Sequence, residues 1–156
     1  MILGISPGTR SCGFAVMREK ELKKFGVQSF KCKWSDGKLI GILYGLSQLI
    51  TRHKIQHVAV KIPDRMPRSI GYAQLIGAMN ALFEQRKITV RYYTLTDLTQ
   101  RYAPKRKTNK AALIGYIAHQ YPELLPLYRR EQECSKPYHD KLFEAIAAAH
   151  CFETRK

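Results

Sequence analysis

The sequence predicts an α/β fold: a mixed five-stranded sheet, made of an antiparallel meander plus parallel strands, with helices on both faces. Three observations carry this. Residues 1–33 hold β-prone apolar runs separated by glycines and a polar turn. Beyond residue 35 the apolar period lengthens to three and four residues. Short apolar strands then separate the first helices, as in βαβ crossovers.

The elements follow in order. Met1 to Ile5 is an apolar strand, and Gly13 to Met17 is a second. Glu19-Lys20-Glu21 is a polar turn, and Leu22 to Phe30 is a third strand with Phe25, Val27 and Phe30. Leu39, Ile42, Leu43, Leu46, Leu49 and Ile50 mark an amphipathic helix. Ser35 or Asp36 caps it, because a side-chain oxygen there accepts a free first-turn N–H. His57 to Ile62 is a short buried strand stopped by Pro63, with Lys61 near its C-terminal end. Ser69 caps a second helix whose apolar face is Leu75, Ile76, Met79, Leu82 and Phe83. Thr89 to Leu95 is the fifth strand. Thr96 and Asp97 cap a short helix that ends near Tyr102 before Pro104. Thr108 starts a helix through about His119. Tyr121 to Pro137 reads as a polar, proline-containing connection, and the last helix runs from about Tyr138 to Phe152. A chain of 156 residues fits one domain, 1–156.

Charge is the outlier. Lys and Arg number 27 against 12 Asp and Glu, a net of +15. Such an excess speaks of partners and not of fold. A phosphate backbone is the usual partner of a compact basic domain; a membrane surface, a ribosome-like setting or plain solubility are the alternatives. No apolar run approaches the ~20 residues of a membrane-spanning helix. The segment MILGISPGTR lacks a basic stretch ahead of a long apolar one, so a cytoplasmic protein with no membrane partner is expected. Cys12, Cys32, Cys134 and Cys151 lie far apart, without the paired spacing of a zinc site. They read as reduced thiols.

Specific motifs narrow the reading. Ile2-Leu3-Gly4-Ile5-Ser6-Pro7-Gly8-Thr9-Arg10, followed by Gly13-Phe14-Ala15-Val16, resembles the opening of the RuvC family of Holliday junction resolvases. Ser69 to Ala78 resembles that family's second helix with its small residues. Tyr92 to Leu98 resembles its strand into a short helix, and Lys107 to Leu113 the basic start of the next one. Glu144-Ala145-Ile146-Ala147-Ala148-Ala149-His150 resembles its C-terminal helix. The order of these matches is stronger than any one of them. The resemblance implies an RNase H-like fold and, in ordinary members, hydrolysis by two Mg²⁺ ions held on four acidic positions, the third sometimes histidine.

This chain departs at those positions. Ser6 stands where the resemblance implies the first Asp, and Lys61 where it implies the Glu that ends the fourth strand. Glu144 matches the last acidic position; Lys141 stands three residues earlier, beside Asp140 and His139. Asp140 and Glu144, four residues apart, share a helix face. A serine replaces a bridging carboxylate poorly, and an ammonium repels Mg²⁺. The ordinary two-metal site is therefore expected to be lost, with no metal and no cofactor, Mg²⁺ entering only if residual cleavage remains. Lys61 either pairs with Asp140 or Glu144 as a structural ion pair or points at a bound phosphate. Asp64 either restores a carboxylate or simply forms a turn after Pro63. His139 is either a ligand or an exposed helix-start histidine. Arg10, Arg65, Arg68, Lys105, Arg106, Lys107 and Lys110 form the expected nucleic-acid-binding rim. Tyr72, Tyr92, Tyr93, Tyr102 and Met66 either stack on bases or pack in the core.

The reading is a nucleic-acid-binding RuvC-like protein that lacks ordinary two-metal nuclease activity. Its expected partners are branched DNA or structured RNA, with a homodimer possible. The alternative is a Mg²⁺- or Mn²⁺-dependent structure-specific endonuclease with a reduced site of Asp64, His139, Asp140 and Glu144. A protein-interaction scaffold is a third reading. The Ser6-Pro7-Gly8-Thr9 turn also resembles the phosphate loop of actin-like ATPases, but those need two such domains, against which 156 residues argue.

Overall fold

The structure, a computed structural model, describes residues 1–103, 109–134 and 138–155. Strands β1 (Ile2–Ser6), β2 (Ser11–Arg18) and β3 (Glu21–Ser29) form the antiparallel meander. Strands β4 (His57–Ile62) and β5 (Thr89–Thr94) run parallel to β1, and the sheet order is β3-β2-β1-β4-β5. The β2–β3 turn is Glu19 and Lys20, at φ 52° and 64°. Positive φ at both residues suits the twist of a two-residue hairpin.

Two cores flank the sheet. Helices α1 (Asp36–Arg52) and α2 (Ile70–Gln85) cover one face. Ile42, Leu46, Leu75, Met79 and Phe83 there meet Leu3, Ile5, Val16, Val58 and Val60. Helices α3 (Leu95–Tyr102), α4 (Lys110–Gln120) and α6 (Asp140–Glu153) cover the other. Leu98, Leu113, Ile117, Phe143 and Ile146 there meet Ile2, Ala15 and Ala59.

Successive strand residues point to opposite faces. In β1, Leu3 and Ile5 enter the α1–α2 core, so Ile2, Gly4 and Ser6 face α6. In β4, Val58 and Val60 face α1 and α2, so Ala59 and Lys61 face α6. Helix α6 lies hard on this face. A Cβ at Gly4 would stand 2.0 Å from the Ala145 carbonyl oxygen, and one at Gly13 2.0 Å from that of Lys141. Only glycine admits so close an approach, and the approach brings α6 side chains down to the strand ends.

The helix caps refine the expectations. Ser35 caps α1 by accepting from the Lys38 N–H, and Ser69 caps α2 by accepting from Tyr72. Helix α3 begins earlier than expected. Thr94, not Thr96, is its cap, and Asp97 completes a capping box from the third helical position. Asn109 caps α4; Thr108 lies outside the described residues. The largest correction is the Tyr121–Pro137 connection. It contains a 3₁₀ turn (Pro122–Leu124) and the helix α5 (Leu125–Gln132). Pro122 and Pro126 sit in first turns, where a missing N–H breaks no helical bond; Pro137 lies outside the described residues. Helix α6 starts at Asp140, two residues later than expected.

Candidate functional site

The strand ends of β1 and β4 and the start of α6 meet at one carboxylate. Glu144 is 1% exposed. Its Oε2 accepts the Ser6 hydroxyl at 2.6 Å and lies 3.2 Å from the Lys61 ammonium. Its Oε1 lies 3.0 Å from the Lys110 ammonium, a charge contact without hydrogen-bond alignment. Lys110 also reaches Asp140 Oδ2 at 3.4 Å. Lys141, one turn before Glu144, donates to the Pro7 carbonyl at 3.1 Å.

A buried charge needs partners, and Glu144 has three. Burial pushes its carboxyl up, but the Lys61 charge, the Ser6 hydrogen bond and the Lys110 charge outweigh that and hold it below the ordinary range. Burial pulls Lys110 down, yet Glu144 and Asp140 raise it more. Lys141 is held low by burial; Glu144 partly offsets this, while Lys61 and Lys110 add to it. Among the described residues no carboxylate lies within 4.0 Å of Lys141.

These residues do not fit a two-Mg²⁺ centre. Mg²⁺ takes several oxygen ligands in near-octahedral geometry, and here a single buried carboxylate has both oxygens against hydroxyl and ammonium groups. Unit like charges 4 Å apart repel by roughly 4 kcal/mol at an effective dielectric of 20, and Mg²⁺ carries two. Among the described residues no group of three or more His, Cys, Asp or Glu is placed to hold a metal ion.

Of the residues expected at the acidic positions, Ser6, Lys61 and Glu144 come together, and Asp140 joins through Lys110. Lys61 pairs with Glu144, not Asp140. Lys110, expected on the rim, stands inside the cluster. The sequence signal for this was weak, because only tertiary packing brings the start of α4 beside α6. Asp64 accepts from the Thr96 N–H at 3.0 Å and ties its loop to α3. His139 pairs with Glu131 of α5. Among the described residues neither hydrogen-bonds or ion-pairs with Ser6, Lys61, Lys110 or Glu144, although Asp64 feels the Lys61 charge.

A cleft of about 300 Å³ opens beside the cluster, lined among others by Arg10, Lys61, Tyr72 and Lys141. Arg65 and Arg68 are exposed on the loop whose Pro63, Pro67 and Ser69 also line it. Lys105, Arg106 and Lys107 lie outside the described residues. Tyr72 and Tyr93 are buried, whereas Tyr92 and Met66 are exposed. Tyr102 stacks on Tyr116, 4.9 Å between ring centres. All four cysteines are free thiols. No described helix is long and apolar enough to cross a membrane.

The sheet order, the helices on both faces and the site at adjacent ends of β1 and β4 define an RNase H-like protein. Within that class the chain belongs to the RuvC family: the model of the crossover junction endodeoxyribonuclease RuvC matches residues 2–149. It is 29% identical over 138 residues to the crossover junction endodeoxyribonuclease RuvC of Aliarcobacter butzleri (strain RM4018), covering 81% of this chain and 88% of that protein. Solved structures share the fold. The T. thermophilus RuvC in complex with Holliday junction substrate matches with a TM-score of 0.73 and 17% identity, over 99% of this chain and 94% of that one. The Fowlpox virus resolvase in complex with substrate Holliday junction DNA matches at 0.57 and 13% identity, over the whole of both chains.

Proposed function

We propose that this RuvC-family chain binds branched nucleic acid, Holliday junction DNA foremost, and does not cleave it by the two-metal route. One observation carries the proposal: Glu144 is hydrogen-bonded by Ser6 and neutralised by Lys61 and Lys110, where a metal-dependent site needs several free carboxylates. The centre is thereby inverted in charge. Lys61, Lys110 and Lys141 outnumber Glu144 and Asp140, and Arg10 adds to them across the cleft. A positive centre attracts a phosphate without an intervening cation, and phosphate contacts set position and orientation, not sequence preference. Family membership and the junction-bound resolvases of the same fold support the choice of branched DNA. A second copy of the chain is the other partner proposed.

The test uses a labelled four-way junction. The protein is expected to shift it equally in EDTA and in Mg²⁺, and to leave both strands intact in Mg²⁺ or Mn²⁺. Metal-dependent cleavage that disappears in Glu144→Gln overturns the proposal and favours an endonuclease with a rearranged acidic site.

A further inference from the structure

We propose that the groove between the β1–β2 loop and the segment joining β3 to α1 is a second nucleic-acid contact, carrying the backbone of a strand that leaves the central cleft. The proposal rests on the nucleic-acid reading above and adds a path to it. The groove has a volume of about 400 Å³ and shares Thr9 and Arg10 with the central cleft. Its remaining walls include Phe30, Lys31, Lys33, Trp34 and Lys38, with no acidic residue among the described lining.

The groove is held in shape from within. The Phe30 N–H donates to the Arg10 carbonyl at 2.8 Å, which joins the two loops. Lys38 is buried; its ammonium donates to the Cys32 carbonyl at 2.8 Å and sits 5.4 Å from the Phe30 ring centre. Trp34 is fixed as well. Its indole N–H donates to Gln74 at 2.8 Å, and its ring lies over Gly71, where a Cβ would be 2.9 Å away.

Lys38 is thus used internally, and Lys31 and Lys33 are left exposed. Among the described residues neither is paired with a carboxylate. A purely solvated basic loop needs no such internal fastening and no fixed aromatic ring. Cations for phosphates beside an aromatic face for a sugar or base are the parts that track a nucleic-acid strand.

Trp34, the chain's single tryptophan, reports on the groove directly. Junction binding is measured in EDTA across a salt series for the wild type and for Lys31→Gln/Lys33→Gln, with circular dichroism confirming that both are folded. Each lost phosphate contact lowers the slope of log K against log salt by about 0.9. The double variant is expected to lose roughly two units of slope, and saturating junction is expected to change Trp34 emission in the wild type. An unchanged slope, or Trp34 emission unmoved by saturating junction, overturns the groove alone. If the wild type binds no junction at low salt, the groove and the proposed function fall together.

Discussion

The Lys61 ammonium lies 3.2 Å from Glu144 Oε2, the oxygen that also accepts the Ser6 hydroxyl. Two strand ends and one helix are therefore joined through a single buried carboxylate. Removing that carboxylate leaves Lys61 without its ion-pair partner and Lys110 with Asp140 alone. Breaking a buried ion pair from one side costs about 3–5 kcal/mol. Glu144→Gln is expected to lower unfolding free energy by about 3 kcal/mol and Ser6→Ala by about 1 kcal/mol. Urea denaturation at pH 7 measures both; equal, negligible losses would show that the cluster does not hold the sheet to α6.

Acid should destabilise the protein in two stages. His150 is buried against the Tyr121 hydroxyl at 2.7 Å, and burial, then the charges of Lys20 and Arg101, hold its pKa below 6.5. His53 is held low too, chiefly by burial. The unfolded chain takes up these protons first, so stability is full above about pH 6.5 and falls below it. Glu144 acts lower down. Its folded pKa is below 4.5, so its contribution is present above that value and lost as pH falls through the folded pKa. Thermal melts from pH 8 to 3 are expected to decline from about pH 6.5 and more steeply below about 4.5. His150→Gln should weaken the upper stage and Glu144→Gln the lower one.

Restoring acid to the strand ends should restore metal affinity. The double change Ser6→Asp with Lys61→Glu adds two carboxylates to Glu144, making three at positions the fold already brings together. Mn²⁺ titration followed by electron paramagnetic resonance is expected to show binding in this variant and none in the wild type. Adding Lys110→Ala, which removes the remaining ammonium from Glu144, should tighten it. No binding in either variant would mean that the α6 backbone, and not only the side chains, is unsuited to the ions.

The closeness of α6 to the sheet is a further point of failure. A Cβ at Gly4 meets the Ala145 carbonyl at 2.0 Å, backbone against backbone, with no side chain to swing aside. Gly4→Ala is expected to destabilise the protein by about 3 kcal/mol or more, the upper end of overpacking costs. Gly41→Ala, whose added Cβ has no neighbour within 4 Å, is the control, and should be neutral or slightly stabilising because alanine favours helix. Denaturant unfolding of the two variants checks the contrast.

Much of this architecture was written in local pattern. The apolar run of Met1–Ile5 and the three-and-four spacing of Leu39–Ile50 are properties of consecutive residues, and both became the expected elements. Helix α5 was hidden because Pro122 and Pro126 read as breakers; Leu124, Leu127 and Tyr128, at three- and four-residue steps, carried the opposite signal. Thr94 and Thr96 are both competent caps, and only the backbone turn at Thr94 decided between them.

The sequence by itself determined the sheet, the family pattern, the net charge of +15 and the serine and lysine at two strand ends. Those follow from residue identity and short-range periodicity. Tertiary structure alone decided what the charges do. It chose Glu144 over Asp140 for Lys61, drew Lys110 inward, and left Lys141 without a carboxylate partner among the described residues. It also joined Lys31, Lys33 and Trp34 to Arg10 along one groove. The reason is physical: an ion pair depends on a few ångströms between atoms far apart in the chain, and no local pattern encodes that distance.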